Sequence, residues 1–210
     1  MKRISFILFL FVAMMTANLH AQTPKEVVDR MNAEIQKGDT QGLSFDFDIH
    51  IPILGEFKST NYVLGEKMRM EINTKDTRNT TWNDGTTEWE YDHTKNEIKI
   101  SPVDKDGIDD NAGNTQLVKG VAEGYDLSFD KKTDDNTWYI ICKKNKSNKD
   151  KDDPKRVELA VSKADYSTVY MRTKKNGIRI SMENFKIGVD EAFVTFNPAD
   201  YPDAKIIDER

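Results

Sequence analysis

The side chains best suited to covalent or metal chemistry are few: three histidines, His20, His50 and His93, and one cysteine, Cys142. A metal site needs such donors at recurrent short spacings, and a thiol nucleophile needs a base within reach. His50 and His93 stand at no such spacing from each other or from Cys142, and His20 falls in a leading segment that reads as cleaved. His50 lies on the polar side of an alternating strand and His93 in the turn Asp92-His93-Thr94-Lys95-Asn96, so both read as exposed surface residues. Cys142 follows Ile140-Ile141, the setting of a buried strand thiol. Carboxylates are abundant but evenly scattered, as on a solvated face, and nothing in the sequence pairs two of them across a pocket. Glycines stand singly at turns, without a phosphate-binding loop. These residues predict a non-enzyme with no catalytic group, metal or cofactor, whose chemistry is apolar contact.

That contact is densest in Trp82-Asn83-Asp84-Gly85-Thr86-Thr87-Glu88-Trp89-Glu90-Tyr91. Asp-Gly between alternating segments is a strong hairpin signal, because a type I′ turn needs positive φ at both central residues. With Asp84 and Gly85 as the loop, Trp82 faces Thr87, and Trp82, Trp89 and Tyr91 share one face opposite Glu88 and Glu90. Whether that face meets a packed core or a ligand is left open by the hairpin alone.

The elements that hold this hairpin begin after an export signal. Lys2 and Arg3 precede an apolar run from Ile4 to Met15, and Leu19-His20-Ala21 ends in the small residue that signal peptidase prefers, so residues 1–21 read as a cleaved signal. An uncleaved anchor is the alternative, although roughly a dozen apolar residues are short for a span that needs about 20. No cysteine directly follows the run to carry a lipid, and the expected product is one soluble exported domain, residues 22–210. Its 189 residues suit a single core, and losing Lys2 and Arg3 takes the net charge from −5 to −7. An acidic chain without a dominant basic face excludes nucleic acid as the expected partner.

Pro24 to Lys37, with Gly38 just past its end and Val27, Val28, Met31 and Ile35 at helical spacing, predicts an amphipathic helix. Leu43 to Ile51 alternates without a break and predicts a strand with one buried face. Glu56 to Leu64, Lys67 to Ile72, Arg78 to Asn83, Thr86 to Asp92 and Asn96 to Ser101 continue as an antiparallel meander. Pro102 to Gly124 is rich in Asp, Asn and Gly, and Leu117, Val118 and Val121 predict a short helix between Thr115 and Glu123. Strands resume at Tyr125 to Asp130, Thr137 to Lys143, Arg156 to Lys163, Tyr166 to Lys174, Gly177 to Ile187 and Ala192 to Phe196. The fold class is therefore mainly β, a large antiparallel sheet curled into a barrel or part-barrel. Lys143 to Arg156 holds seven basic and three acidic residues. It reads either as a solvated hairpin loop or as a contact for anionic lipid headgroups or an acidic partner.

This order of parts resembles the periplasmic outer-membrane lipoprotein carriers, the LolA-like family. The resemblance rests on the leading signal, the helix, the strand Leu43 to Ile51 and a Gly-Glu-Phe run leading to Met68-Arg69-Met70-Glu71-Ile72. It rests further on Asp84-Gly85 followed by Trp89-Glu90-Tyr91, on Asn111-Ala112-Gly113-Asn114-Thr115 at the family's lid-helix segment, and on Phe193-Val194-Thr195-Phe196-Asn197-Pro198 at its closing strand and Pro turn. It implies an incomplete β-barrel whose apolar concave face is covered by a helical lid. It also implies a monomeric carrier that takes acylated lipoproteins or lipid from an inner-membrane ABC transporter to an outer-membrane acceptor.

On that reading Phe45, Phe47, Ile49, Met68, Met70, Trp82, Trp89, Tyr91, Ile98 and Ile100 line one apolar groove, and Leu117, Val118 and Val121 belong to the lid. Any antiparallel sheet buries alternate residues, so each position is equally open to a place in a filled core. The family's Arg-Pro pair is missing, with Gly65 and Glu66 at the nearest positions, which leaves the lid latch to Arg69, Arg78 or apolar contact alone. A second reading is an envelope lipid-binding or lipoprotein-sensing regulatory module of the same fold. A LolB-like acceptor would need a lipidated cysteine where Gln22 stands.

Overall fold

Thr23 sets where the chain becomes regular. Its hydroxyl accepts from Glu26 N at 3.2 Å while the Glu26 carboxylate accepts from Thr23 N at 2.8 Å. This reciprocal capping box satisfies two amides that a first helical turn leaves open. Pro24, its φ already fixed, then opens helix α1, Pro24–Gln36. Winding does not stop at Gly38 as the sequence suggests: a short helix α2 spans Gly38–Gln41, and Gly42, at φ +81, ends it. Gly38 answers a close approach instead, since a Cβ there would lie 2.9 Å from the Leu43 Cβ. The computed structural model describes residues 22–103, 123–151 and 153–210, so the expected signal segment and the lid residues Leu117, Val118 and Val121 lie outside the described residues. Among the described residues, no helix is long and apolar enough to cross a membrane.

The strands are β1 Leu43–Ile51, β2 Gly55–Leu64, β3 Lys67–Asn73, β4 Arg78–Asn83, β5 Thr87–Asp92, β6 Glu97–Pro102, β7 Tyr125–Phe129, β8 Thr137–Lys144, β9 Arg156–Ser162, β10 Thr168–Lys175, β11 Ile178–Ile187 and β12 Lys205–Asp208. They form one 12-stranded sheet in the order β12-β6-β5-β4-β3-β2-β1-β11-β10-β9-β8-β7, curled but unclosed, an incomplete barrel. Two meanders, β1 to β6 and β7 to β11, meet where β1 pairs antiparallel with β11.

The C-terminal expectations need correction. Ala192 to Phe196 is not a strand: Asp190 Oδ1 accepts from Ala192 N at 2.8 Å and caps a one-turn helix α3, Glu191–Val194, followed by a 3₁₀ turn at Pro198–Asp200. The closing strand is β12, and it runs parallel to β6, so the sheet is not wholly antiparallel. The segment between β11 and β12 lies over the sheet instead of extending it, which buries Val194 to 2 % exposure.

One face of the sheet carries α1. Val27, Val28, Met31 and Ile35 press on Ile140, Cys142, Val157, Leu159, Val161, Met171 and Met182, with Leu43, Tyr125, Phe45, Phe47, Trp138 and Phe185 around them. Full burial of an aliphatic side chain of this size contributes about 1.5–3 kcal/mol, so the helix stripe and its strand partners form the main core. That core sits over β1 and β7 to β11, and no residue of β2 to β6 belongs to it.

Candidate functional site

Side chains alternate across a sheet, so register decides which of the candidate residues face each other. Phe45 pairs with Asn61, Asn61 with Met70, Met70 with Thr81 and Thr81 with Glu90. Ser44 pairs with Tyr62, Tyr62 with Arg69, Arg69 with Trp82, Trp82 with Trp89 and Trp89 with Ile100. The first row is on the α1 face and the second on the opposite face. The predicted single groove is therefore divided: Phe45, Phe47, Ile49, Met68 and Met70 lie on one side of the sheet, and Trp82, Trp89, Tyr91, Ile98 and Ile100 on the other.

The hairpin register also differs from the sequence expectation. Asn83 faces Glu88, Trp82 faces Trp89 and Asp84 N donates to Thr87 O at 3.2 Å, so the turn is shifted by one residue and its central residues are Gly85 and Thr86. Only Gly85 takes positive φ there. The Asp84 carboxylate accepts from Thr86 N and Thr87 N at 2.9 and 2.8 Å, and these bonds draw its pKa down against the opposing effect of burial. An Asp that can bond two downstream amides favours a turn that starts from it over one centred on it.

The aromatic side of that hairpin is covered by the chain's own C-terminal segment. Phe196 stacks on Trp89 with centroids 5.3 Å apart and meets Trp82 edge-on at 5.5 Å. Tyr201 contacts Trp82 at 5.7 Å and Tyr91 at 4.5 Å, and Phe193 meets Tyr62 edge-on at 4.7 Å. Trp82 is 3 % exposed and Ile98 fully buried. Arg69, a candidate latch, is committed here: its guanidinium lies 3.9 Å over the Phe193 ring and donates to the Phe193 carbonyl at 3.3 Å. Lys67 adds an ion pair to Glu191 at 2.7 Å. Arg78, the other candidate, is exposed at the start of β4.

On the α1 face the arrangement is different. Phe45 stacks on Phe185 at 5.7 Å, and it and Phe47 border the core. Beyond them Ile49, Met68, Met70 and Ile72 form a half-buried apolar strip outside the core cluster. Past the strip the same face turns polar. Thr81 and Asn83 are buried and Asn79 donates to Glu90 at 2.6 Å, while Ser59 and buried Asn61 of β2 stand between the phenylalanines and the methionines. The Glu88 carboxyl is pushed up by burial and then by its neighbour Glu90. An apolar strip with an amide and carboxyl margin suits an amphiphile, with chains along the methionines and a polar head at the margin. Sequence reasoning missed the margin, because Glu88 and Glu90 read there only as the side of the hairpin away from the aromatic face.

Two concavities open on the opposite face of the sheet's centre. One, of about 440 Å³, is lined by residues including Asp46, Asp48, Lys58, Thr60, Glu71 and Glu183. The other, of about 600 Å³, is lined by residues including His50, Glu56, Arg156, Arg172, Lys174 and Arg179. Both are lined mostly by charged and hydroxyl-bearing residues, and neither holds the predicted aromatic wall.

The titratable residues take structural places. Cys142 is fully buried, and desolvation pushes its thiol up to about 12. His93 is not a free surface residue: its ring packs on Tyr91 with centroids 4.3 Å apart, and its Nε2 bonds Thr80 Oγ1 at 2.9 Å. Burial, then Arg78, lowers its pKa. Among the described residues no cluster of His, Cys, Asp and Glu is arranged to hold a metal ion.

No family model and no curated protein matches the chain. Several solved structures are similar to it in fold. An uncharacterized conserved protein from Thermus thermophilus is 17% identical, with a TM-score of 0.48 over 90% of this chain and 100% of its own. MucB in its complex with MucA from Pseudomonas aeruginosa is 10% identical, with a TM-score of 0.45 over 83% of this chain and 61% of its own. A LolA superfamily protein from Nitrosomonas europaea is 9% identical, with a TM-score of 0.33 over 84% of this chain and 99% of its own.

Proposed function

We propose that the protein is a periplasmic carrier that shields the acyl chains of lipoproteins between the inner and outer membranes. Its site is the strip Ile49, Met68, Met70 and Ile72 with Phe45 and Phe47 beside it; the tryptophan face is structural. The observation that supports this reading is that the α1 core takes in no residue of β2 to β6, while Met68, Met70 and Ile72 stay half-buried outside it next to a polar margin. Each methylene removed from water contributes about 0.8 kcal/mol, so an acyl chain crosses an aqueous compartment only along such a surface. Methionine, unbranched and polarizable, adapts to chains of different length and bend. Cargo would arrive from an ABC transporter in the inner membrane and leave to an acceptor at the outer membrane.

The test is to purify the chain after export and identify co-purifying acylated species by mass spectrometry, alongside a Met70→Glu variant. Wild-type protein carries lipoprotein or lipid, and the variant loses at least tenfold of it, or about 1.4 kcal/mol of binding, while melting like the wild type. Repeated preparations without acylated species, or a Met70→Glu protein that carries as much as wild type, refute the reading.

A further inference from the structure

The hairpin between β1 and β2 ends in Pro52-Ile53-Leu54, and this tip is the most exposed apolar feature among the described residues. Ile53 is 104 % and Leu54 71 % exposed, and Phe57 behind them is 54 % exposed. Ile53 also sits at φ +76, a region that β-branched residues avoid because Cβ crowds the backbone. Nothing in the fold rewards an isoleucine there: it gains no burial and holds a strained backbone.

The same end of the sheet gathers cations on the face opposite α1. Lys143 pairs in register with Arg156, Lys174 with Arg179, and Arg179 with His50. Because Val157 pairs with Thr173, Arg156 lies beside Lys174, and the row of cations runs unbroken over four strands to the His50 imidazole on β1. It lines the concavity of about 600 Å³ from Arg156 to His50. The carboxylates in that concavity are already engaged: Glu158 with Arg156, Glu183 with Arg172, and Asp48 and Glu56 with Lys58. Lys143, Lys174 and Arg179 form no ion pair among the described residues. The β10–β11 turn abuts the tip, since a Cβ on Gly177 would lie 3.5 Å from Pro52 Cγ. In a chain of net charge −5, three open cations beside an unburied aliphatic prong form a local exception with a defined complement.

We infer that this end of the sheet docks on an anionic lipid bilayer. Ile53 and Leu54 enter the acyl boundary, Lys174 and Arg179 meet headgroup phosphates in the adjoining concavity, and Lys143 extends the basic row beyond it. Apolar insertion combined with basic contacts is the pairing of signals that gives reversible attachment to a membrane surface. The inference stands independently of the cargo reading, because the docking residues lie at the sheet's end and the cargo strip does not include them.

The experiment is sedimentation with phosphatidylcholine vesicles, with and without phosphatidylglycerol. All variants keep the same leading residues, so any contribution from those is common to every sample. Wild type binds the anionic vesicles preferentially, and less so at high salt. Ile53→Ser with Leu54→Ser weakens binding about tenfold or more. Lys174→Gln with Arg179→Gln weakens it about 25-fold, at roughly fivefold per cation. Met70→Glu, which alters the cargo strip, binds vesicles as wild type does, so the two proposals fail separately. Exposed tip substitutions leave the melting curve unchanged, which excludes unfolding as the cause. Absence of binding to either vesicle, equal binding to both, or tip variants that bind like wild type overturns the inference.

Discussion

Replacing Phe196 with alanine separates the structural face of the sheet from the face proposed to bind cargo. The ring stacks on Trp89 at 5.3 Å, meets Trp82 edge-on at 5.5 Å and lies parallel to Tyr201 at 6.0 Å. Removing a fully buried phenylalanine costs about 3–5 kcal/mol; Phe196 is half-buried, so about 2 kcal/mol is expected. For a domain of this size each kcal/mol moves Tm by about 2–4 °C, giving a drop of about 4–8 °C. The assay is thermal unfolding followed by far-ultraviolet circular dichroism and by tryptophan emission, since Trp82 and Trp89 both lose a neighbour. Co-purification of acylated species stays at the wild-type level, because Phe196 lies across the sheet from Met68 and Met70. A shift below about 2 °C with unchanged emission would show that the C-terminal segment does not pack on the tryptophans. A large loss of cargo with little loss of stability would put the binding site on the wrong face.

Gly42→Ala is expected to destabilise by about 2–5 kcal/mol, combining the left-handed backbone with overpacking. At φ +81 an added Cβ meets the Val189 Cβ at 2.5 Å, where Gly42 O also accepts from Gly188 N at 3.0 Å; urea unfolding measures the change. The Cys142 thiol, held up to about 12 by desolvation, should resist iodoacetamide at pH 8.5 in the folded protein and react promptly in denaturant. An unfolded thiol ionises near pH 8.5, so this group's stabilisation is fully present below that pH and is lost as pH rises from about 9 towards 12. Rapid labelling of native protein would mean that the strand opens locally.

The sequence by itself determined nearly every strand and which residues within each strand share a side. Leu43 to Ile51 could be read residue by residue, because strict alternation leaves one way to bury Phe45 and Phe47. Pro24 and the helical spacing of Val27, Val28, Met31 and Ile35 marked α1 in the same local way. The C-terminal segment escaped, because Ala192 to Phe196 is too short for periodicity to separate strand from helix, and the Asp190 cap decides it. The parallel β12 escaped as well, since its partner β6 is remote in sequence and no local pattern encodes that pairing.

Only the tertiary structure decided how those sides combine. Alternation has period two, so one residue more or less in a turn exchanges the faces of everything that follows. Between β3 and β4 the register pairs Met70 with Thr81 and Arg69 with Trp82. There the apolar side passes from the α1 face to the opposite face, although each strand alone looks like its neighbours. The methionines and the tryptophans belong to two surfaces for that reason. One is filled by the protein's own Phe196 and Tyr201, and the other, half-buried, is the surface proposed to hold cargo.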